Sequence, residues 1–489
     1  MVVLSLAVSG CSAVFSSFFE SRNSLENLRT DLTQDFRDTN FANAHWGVLI
    51  KSLQTGETIF AQNEKKMFMP ASNMKLVSTS TALSTLSSDF RYHTVLVSDG
   101  TVRNDTLDGN IICVGTGDPS NTKRFNDSIA TKVFQAWADS LAVKGITVVN
   151  GDCIGDDNCF GENDYGAGWA ANYETDWYAA QISGICYNDN CIDITVAPDS
   201  VEGRSGQISL SPVTKYVTIV NRTTTLPQAD STSDLEFHRR RGTNIIVIEG
   251  NISIGHKPWI ESVAVDNPTL YALTVMKEVF EKKGIQVLGK AVDIDDRDSA
   301  SYATTMTLAS YDSPLLSDIV AATNKPSQNL YAEQLFRTVG AQKAGKGTME
   351  QSRSVAYPLL AQWGVDTTRL RMLDGSGLSR LDLITPSDIV AILTGMYHSP
   401  EWEPFYQSLP VAGVDGTIKR RMRGTLAEGN VHAKTGYIGY VRSLSGYVTS
   451  MDGEIFVFSM IANNYTVPTR FAEAIQNAVC VELANFSRK

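Results

Sequence analysis

Between Arg91 and about Asp298 the sequence reads as short strands and turns, heavy in Gly, Asp, Asn and Thr, while the segments on both sides carry longer helical patterns. Ahead of it, Trp46 to Leu53, the turn Gln54-Thr55-Gly56-Glu57, and Thr58 to Ala61 read as a β-hairpin. Ser72 then opens a run of small and aliphatic residues through Leu86, the pattern of a buried helix. Beyond it, helices are expected over Ser313 to Thr323, Asn329 to Lys343, Met349 to Trp363 and Pro386 to Tyr397. Strands return at Val441 to Thr449 and Glu454 to Ile461, followed by a last helix from Thr469 to Ala484. This order fits one α/β (α+β) domain made from both chain ends and interrupted by a β-rich insertion. Inside the insertion, Tyr271 to Lys283, closed by Gly284, reads as one isolated amphipathic helix. With 489 residues the chain has room for about three domains.

A net charge of −11 makes nucleic acid an unsuitable partner. The one basic run, His238-Arg239-Arg240-Arg241, reads as a solvated loop. The first nineteen residues carry no charge and resemble the apolar core of a signal peptide, although the basic start is missing. Within them Val8-Ser9-Gly10-Cys11 resembles a bacterial lipobox, so residues 1–22 are read as a signal or lipoprotein segment with a lipid anchor at Cys11 as one form of it. The expected location is the periplasm. Six other cysteines remain: Cys113, Cys153, Cys159, Cys186, Cys191 and Cys480. An even number in an exported chain favours disulfides over a metal site, with Cys153/Cys159 and Cys186/Cys191 as close sequence pairs and the connectivity open. No cofactor or metal is expected.

Neither a G-x-S-x-G elbow nor an H-E-x-x-H pair is present, and Gly340 to Gly347 lacks the Ser/Thr a P-loop needs for magnesium. What remains is Ser72-Asn73-Met74-Lys75. Residues three apart on a helix share a face, so the Lys75 amine reaches the Ser72 hydroxyl. A lysine in a closed, partly apolar site loses pKa and serves as base to the serine. A second S-x-x-K, Ser120 to Lys123, follows the turn Gly117-Asp118-Pro119 and has no helix to align it. Further on stand Ser327-Gln328-Asn329 and Lys434-Thr435-Gly436, the sole K-T-G of the chain. Gly436 lets a strand edge approach a substrate backbone closely.

In this order S-x-x-K, S-x-N and K-T-G resemble the serine penicillin-binding proteins and class A β-lactamases. The stretch from Lys75 to Ser327 is far too long for a class A β-lactamase. The chain is similar instead to the type-4 low-molecular-mass penicillin-binding proteins, the D-alanyl-D-alanine carboxypeptidase/endopeptidases of peptidase family S13. Further resemblances are Val114 to Pro119, Asp374-Gly375-Ser376-Gly377-Leu378-Ser379-Arg380, Leu409 to Thr417, and Ala433 to Gly436. They imply a penicillin-binding-protein/β-lactamase-like transpeptidase domain over 23–90 and 310–489. The insertion would form a domain over 91–206 and 256–309, with a third domain, 207–255, nested in it.

The resemblance implies that Ser72 is the acylated nucleophile, Lys75 its base, and Ser327 the relay of a proton to the leaving amine. Asn329 would hold the substrate amide and Lys75. Lys434 and Thr435 would engage a terminal D-alanine carboxylate, and the backbone N–H groups of Ser72 and Tyr437 would form the oxyanion hole. The family usually has Thr or Ser at the position of Tyr437, and Asp at that of Gln328. Asp156 and Arg380 would meet the amine and carboxylate of a diaminopimelate third residue. The expected activity is cleavage of D-Ala-D-Ala ends and of D-Ala-diaminopimelate cross-links in peptidoglycan stem peptides, with β-lactams as covalent inhibitors. The alternatives are a catalytically silent penicillin-binding sensor, or a β-lactamase- or esterase-like hydrolase.

Overall fold

The structure, a computed structural model, describes residues 24–161, 165–228, 233–299 and 301–488. The leader and Cys11 lie outside the described residues. At the centre stands a five-stranded antiparallel sheet in the order His432–Ile438, Val441–Thr449, Ile455–Asn463, His45–Ser52, Thr58–Gln62. Strand periodicity explains its burial on both faces. Phe456, Phe458, Met460 and Ala462 point to one core, while Val457 and Ile461 point to the other. The first core is closed by the helices Leu25–Asp35 and Thr469–Asn485 through Leu28, Leu32, Val479 and Leu483. The second takes the helix Met74–Leu86, whose residues Met74 to Leu83 are all buried. It also takes the helices Asn329–Ala344 and Pro386–Tyr397, through Leu335, Phe336, Ile389 and Leu393. A helix wrapped in protein on every side needs no polar face, which is why Met74–Leu86 is built of small and apolar residues.

The insertion is entered on the strand His93–Ser98 and left on Met306–Asp312, which pair antiparallel from His93/Asp312 to Ser98/Met306. Entry and exit are therefore neighbours, and the long excursion leaves the central sheet unbroken. Its main core is covered by two helices, Pro268–Lys282 and Lys132–Val143. The second was not expected: its Val133, Phe134, Trp137, Ala138 and Leu141 recur at helical spacing, inside a stretch that reads overall as strands and turns. Two three-stranded sheets belong to the same excursion. Thr218–Leu226, Ile245–Ser253 and Asp234–Arg239 form one. The other joins Gln207–Ser211 and Trp259–Ala264 to Cys191–Ala197, so it takes strands from both sides of the expected edges of the nested segment.

Two expectations are corrected. The basic run is not wholly a solvated loop: Arg239 ends a strand and is buried, its guanidinium donating to the Thr243 and Glu174 carbonyls at 3.0 and 2.9 Å and lying 3.3 Å from Asp266. The six described cysteines are free thiols rather than disulfides. Members of each close sequence pair pack into different clusters: Cys153 in the main insertion core and Cys159 against the cluster of Phe160 and Leu330, Cys186 in the cluster of Tyr331 and Cys191 with Ala180 and Ala264. Burial pushes the thiols of Cys113, Cys159 and Cys480 up to about 12, so they behave as small apolar side chains.

Candidate active site

Ser72 sits in a short 3-10 turn, Ala71–Asn73, that feeds directly into the helix beginning at Met74. In a 3-10 turn residues three apart eclipse, so Ser72 and Lys75 face one another. The Lys75 amine lies 2.9 Å from Ser72 Oγ, 2.5 Å from Asn329 Oδ1 and 2.8 Å from the carbonyl oxygen of Ser376. Burial lowers its pKa to about 7, against the opposing pull of Asp374 and Glu333. An amine so placed is half neutral near pH 7 and can take the serine proton. Ala71, just before Ser72, is held at φ 48°, a left-handed conformation costly for a residue with a Cβ. Gly377 lets its loop approach this turn closely: a Cβ there would stand 1.8 Å from the Ala71 carbonyl oxygen.

The K-T-G strand closes the other side. Lys434 Nζ donates to Ser327 Oγ at 2.8 Å and to the Thr435 carbonyl at 3.0 Å. Burial, then the charges of Lys75 and Arg442, holds its pKa well below the ordinary lysine range. Ser327 itself has φ 66°, immediately ahead of the helix that Asn329 begins. A Cβ at Gly436 would meet Ser443 Oγ at 2.2 Å, the Pro70 carbonyl oxygen at 2.7 Å and the Ser72 nitrogen at 2.9 Å. That glycine thus serves the contact between strand and nucleophile turn. Ser72, Ser327, Asn329, Thr435 and Tyr437 line one cleft of about 520 Å³. The insertion supplies its roof, Tyr173, Trp177 and Tyr178.

The sequence profile of the D-Ala-D-Ala carboxypeptidase 3 (S13) family matches residues 28–486. The chain belongs to that family. It is similar to the D-alanyl-D-alanine carboxypeptidase of Actinomadura sp. (strain R39), at 32% identity over 95% of this chain and 85% of that one. It is also similar to the penicillin-sensitive carboxypeptidase A of Dictyostelium discoideum, at 31% identity over 86% of this chain and 83% of that one. Among solved structures, penicillin-binding protein 4 of Haemophilus influenzae matches with a TM-score of 0.79 and 25% identity, covering 94% of this chain and 100% of that one. The fold of this S13 peptidase is accordingly that of a penicillin-binding protein carrying additional β-rich domains, and its chemistry is hydrolysis by a serine peptidase.

Of the residues expected in the site, Ser72, Lys75, Ser327, Asn329, Lys434, Thr435, Gly436 and Tyr437 come together. Arg380 reaches the rim, donating to the Gly439 carbonyl at 2.7 Å. Asp156 does not line the cleft; its carboxylate accepts the Tyr302 hydroxyl at 2.6 Å and the Asn158 N–H at 3.2 Å. Other residues that the structure brings to these side chains were not expected. Asn73 donates to the Lys434 carbonyl at 2.7 Å, and the Thr417 and Thr435 hydroxyls are 2.7 Å apart. The Tyr178 carbonyl accepts from Asn329 Nδ2 at 2.7 Å, which fixes the amide so that its oxygen faces Lys75. Glu333, one turn beyond Asn329, accepts from the backbone of Gly375 and Ser376. Asn73 and Thr417 lay within quoted stretches without a role assigned to them, and Glu333 left only its i, i+4 spacing from Asn329.

Proposed function

We propose that this S13 peptidase removes the terminal residue of D-Ala-D-Ala peptides and opens D-Ala-diaminopimelate cross-links of peptidoglycan, both through one acyl-enzyme on Ser72. The observation that carries the reading is the Lys75 amine, 2.9 Å from Ser72 Oγ with a pKa near 7. Neutral Lys75 takes the hydroxyl proton as Ser72 Oγ attacks the carbonyl of the penultimate D-alanine. The backbone N–H groups of Ser72 and Tyr437 receive the negative oxygen. Ser327, held by Lys434, passes a proton to the departing amine, and Lys434 with Thr435 receives the carboxylate beside it. Water then takes the acyl group from Ser72. A cross-link differs from a free end only in the group attached beyond the departing nitrogen, so the same residues serve both reactions.

Penicillin, whose amide carbonyl and carboxylate reproduce this pattern, forms the corresponding ester. For the third residue of the stem we assign Arg380 to its carboxylate; the position of Asp156 gives no support to its meeting the amine. The reaction is placed outside the cytoplasm, in the periplasm, with Cys11 as the candidate lipid anchor. Fluorescent penicillin should label the chain on the peptide containing Ser72, and Ser72→Ala should abolish the label. Mass spectrometry of products from a pentapeptide and from a cross-linked dimer then apportions the two activities. Label at Ser120, or none, would overturn the assignment; label without product from either substrate would point to a silent sensor.

A further inference from the structure

The helix Asn329–Ala344 presents Asn329 and Glu333 on one face, four residues apart. Asn329 touches Lys75 directly. Glu333 is fully buried and reaches no part of the cleft. Its two oxygens both accept from the Gly375 N–H at 2.9 Å, and one also accepts from the Ser376 N–H at 2.8 Å. The carbonyl of that same Ser376 accepts from Lys75 Nζ at 2.8 Å. We propose that Glu333 is a positioning residue for the base: it clamps the Gly375–Ser376 backbone so that the Ser376 carbonyl fixes the direction of the Lys75 amine.

Alternatives for this carboxylate are poor. A buried carboxylate is costly unless it is paired or richly hydrogen-bonded, and one spent on two glycine-loop amides would be a large expense for loop stability alone. Here the loop carries a group that touches the reacting lysine. The charges facing Glu333 are Arg337 on its own helix, Asp374 and Asp382 on the following loop, and Lys75 on the nucleophile helix. Asp374 is occupied in turn by the Gly377 and Ser379 N–H groups, both at 2.6 Å, and by Trp169 Nε1 of the insertion at 2.7 Å. Asp374 thus holds the Ser376–Gly377 peptide, whose carbonyl meets Lys75, and Glu333 holds the Gly375–Ser376 peptide just before it.

Two consequences separate positioning from mere support. A glutamine at 333 keeps one acceptor but turns an N–H₂ toward the Gly375 N–H, loosening the clamp. Burial, then Asp374, raises the Glu333 pKa to about 7, so the substitution also removes the negative charge it carries on the alkaline side, where that charge favours the Lys75 ammonium, and the base titrates at lower pH. The inference rests on Lys75 being the base, and the experiment keeps the two apart. The second-order rate of penicillin acylation is measured from pH 5 to 9 in the parent, E333Q, E333D and Lys75→Ala. In E333Q the plateau rate should fall about tenfold or more and the acidic limb should move to lower pH, while E333D loses rate with its limb closer to the parent's. An E333Q enzyme with the parent's rate, or with a lower rate and an unmoved limb, would overturn the positioning role. Normal acylation by Lys75→Ala would instead overturn the base assignment. Should neither Glu333 variant fold, the unmodified protein still decides. The Gly375 and Ser376 amide resonances should titrate together with the acidic limb, and amides indifferent to pH across that range would refute the link.

Discussion

Lys75 and Lys434 are both buried, and their surroundings divide two tasks between them. In the proposed mechanism the neutral form of Lys75 is the reactive one, and its pKa of about 7 sets where that form appears. Lowering the pH below 7 protonates the amine, so acylation should fall about tenfold per pH unit there and level off above. Stopped-flow acylation by a chromogenic β-lactam from pH 5 to 9 checks this, and a rate flat across that range would contradict it. Lys434 answers to a different need. Burial, and then the charges of Lys75 and Arg442, hold its pKa well below the ordinary lysine range. An arriving carboxylate should raise that pKa and draw a proton from solution. Calorimetry of a non-reacting D-alanine-terminated ligand in two buffers of different ionisation enthalpy measures this uptake. Lys434→Ala should lose the uptake and raise KM more than it lowers the acylation rate constant. A variant with unchanged hydrolysis of D-Ala-D-Ala peptides would remove the carboxylate role.

Gly436 illustrates what an element imposes. The strand His432–Ile438 approaches the nucleophile turn so closely that no side chain fits at this position. Gly436→Ala should therefore displace Pro70 and Ser72 rather than merely crowd the cleft. We expect a loss of roughly 1–3 kcal/mol in stability together with a drop of at least about tenfold in acylation, read by thermal melts and penicillin labelling. A stable, fully active variant would show that the strand can retreat. The legible part of this site was the local part. Ser72 with Lys75, and Lys434 with Gly436, depend on spacings of two or three residues, and such spacings fix geometry by themselves. The partners of Asn329, Lys434 and Glu333 at Tyr178, Asn73 and Ser376 depend on segments brought together from far along the chain. No local pattern announces them. The helix Lys132–Val143 was hidden for a different reason: the glycine- and aspartate-rich texture around it outweighed five apolar residues at helical spacing. The cysteines misled because their even number speaks of compartment, whereas bonding depends on the separation of packed Cα atoms.

For the whole molecule the free thiols carry a direct expectation. Protein denatured without reductant should be alkylated at all six described cysteines, and its melting temperature should not respond to reductant. A mass deficit of paired hydrogens would show otherwise. The sheet carries a further consequence, one of timing. His45 pairs with Asn463 and Ser52 with Phe456, so the early hairpin finds its central neighbour only in the last strand of the sheet. Ser72 and Lys75 are made early, but the sheet edge that faces them is joined to the hairpin solely through Ile455–Asn463. A growing chain should then be inert toward penicillin until that strand is free of the ribosome, and become reactive in a single step. Nascent chains arrested before residue 455 should take no label, while chains arrested on a linker that frees residue 488 should take it fully. The antibiotic would find its target in finished molecules and never in those still being made.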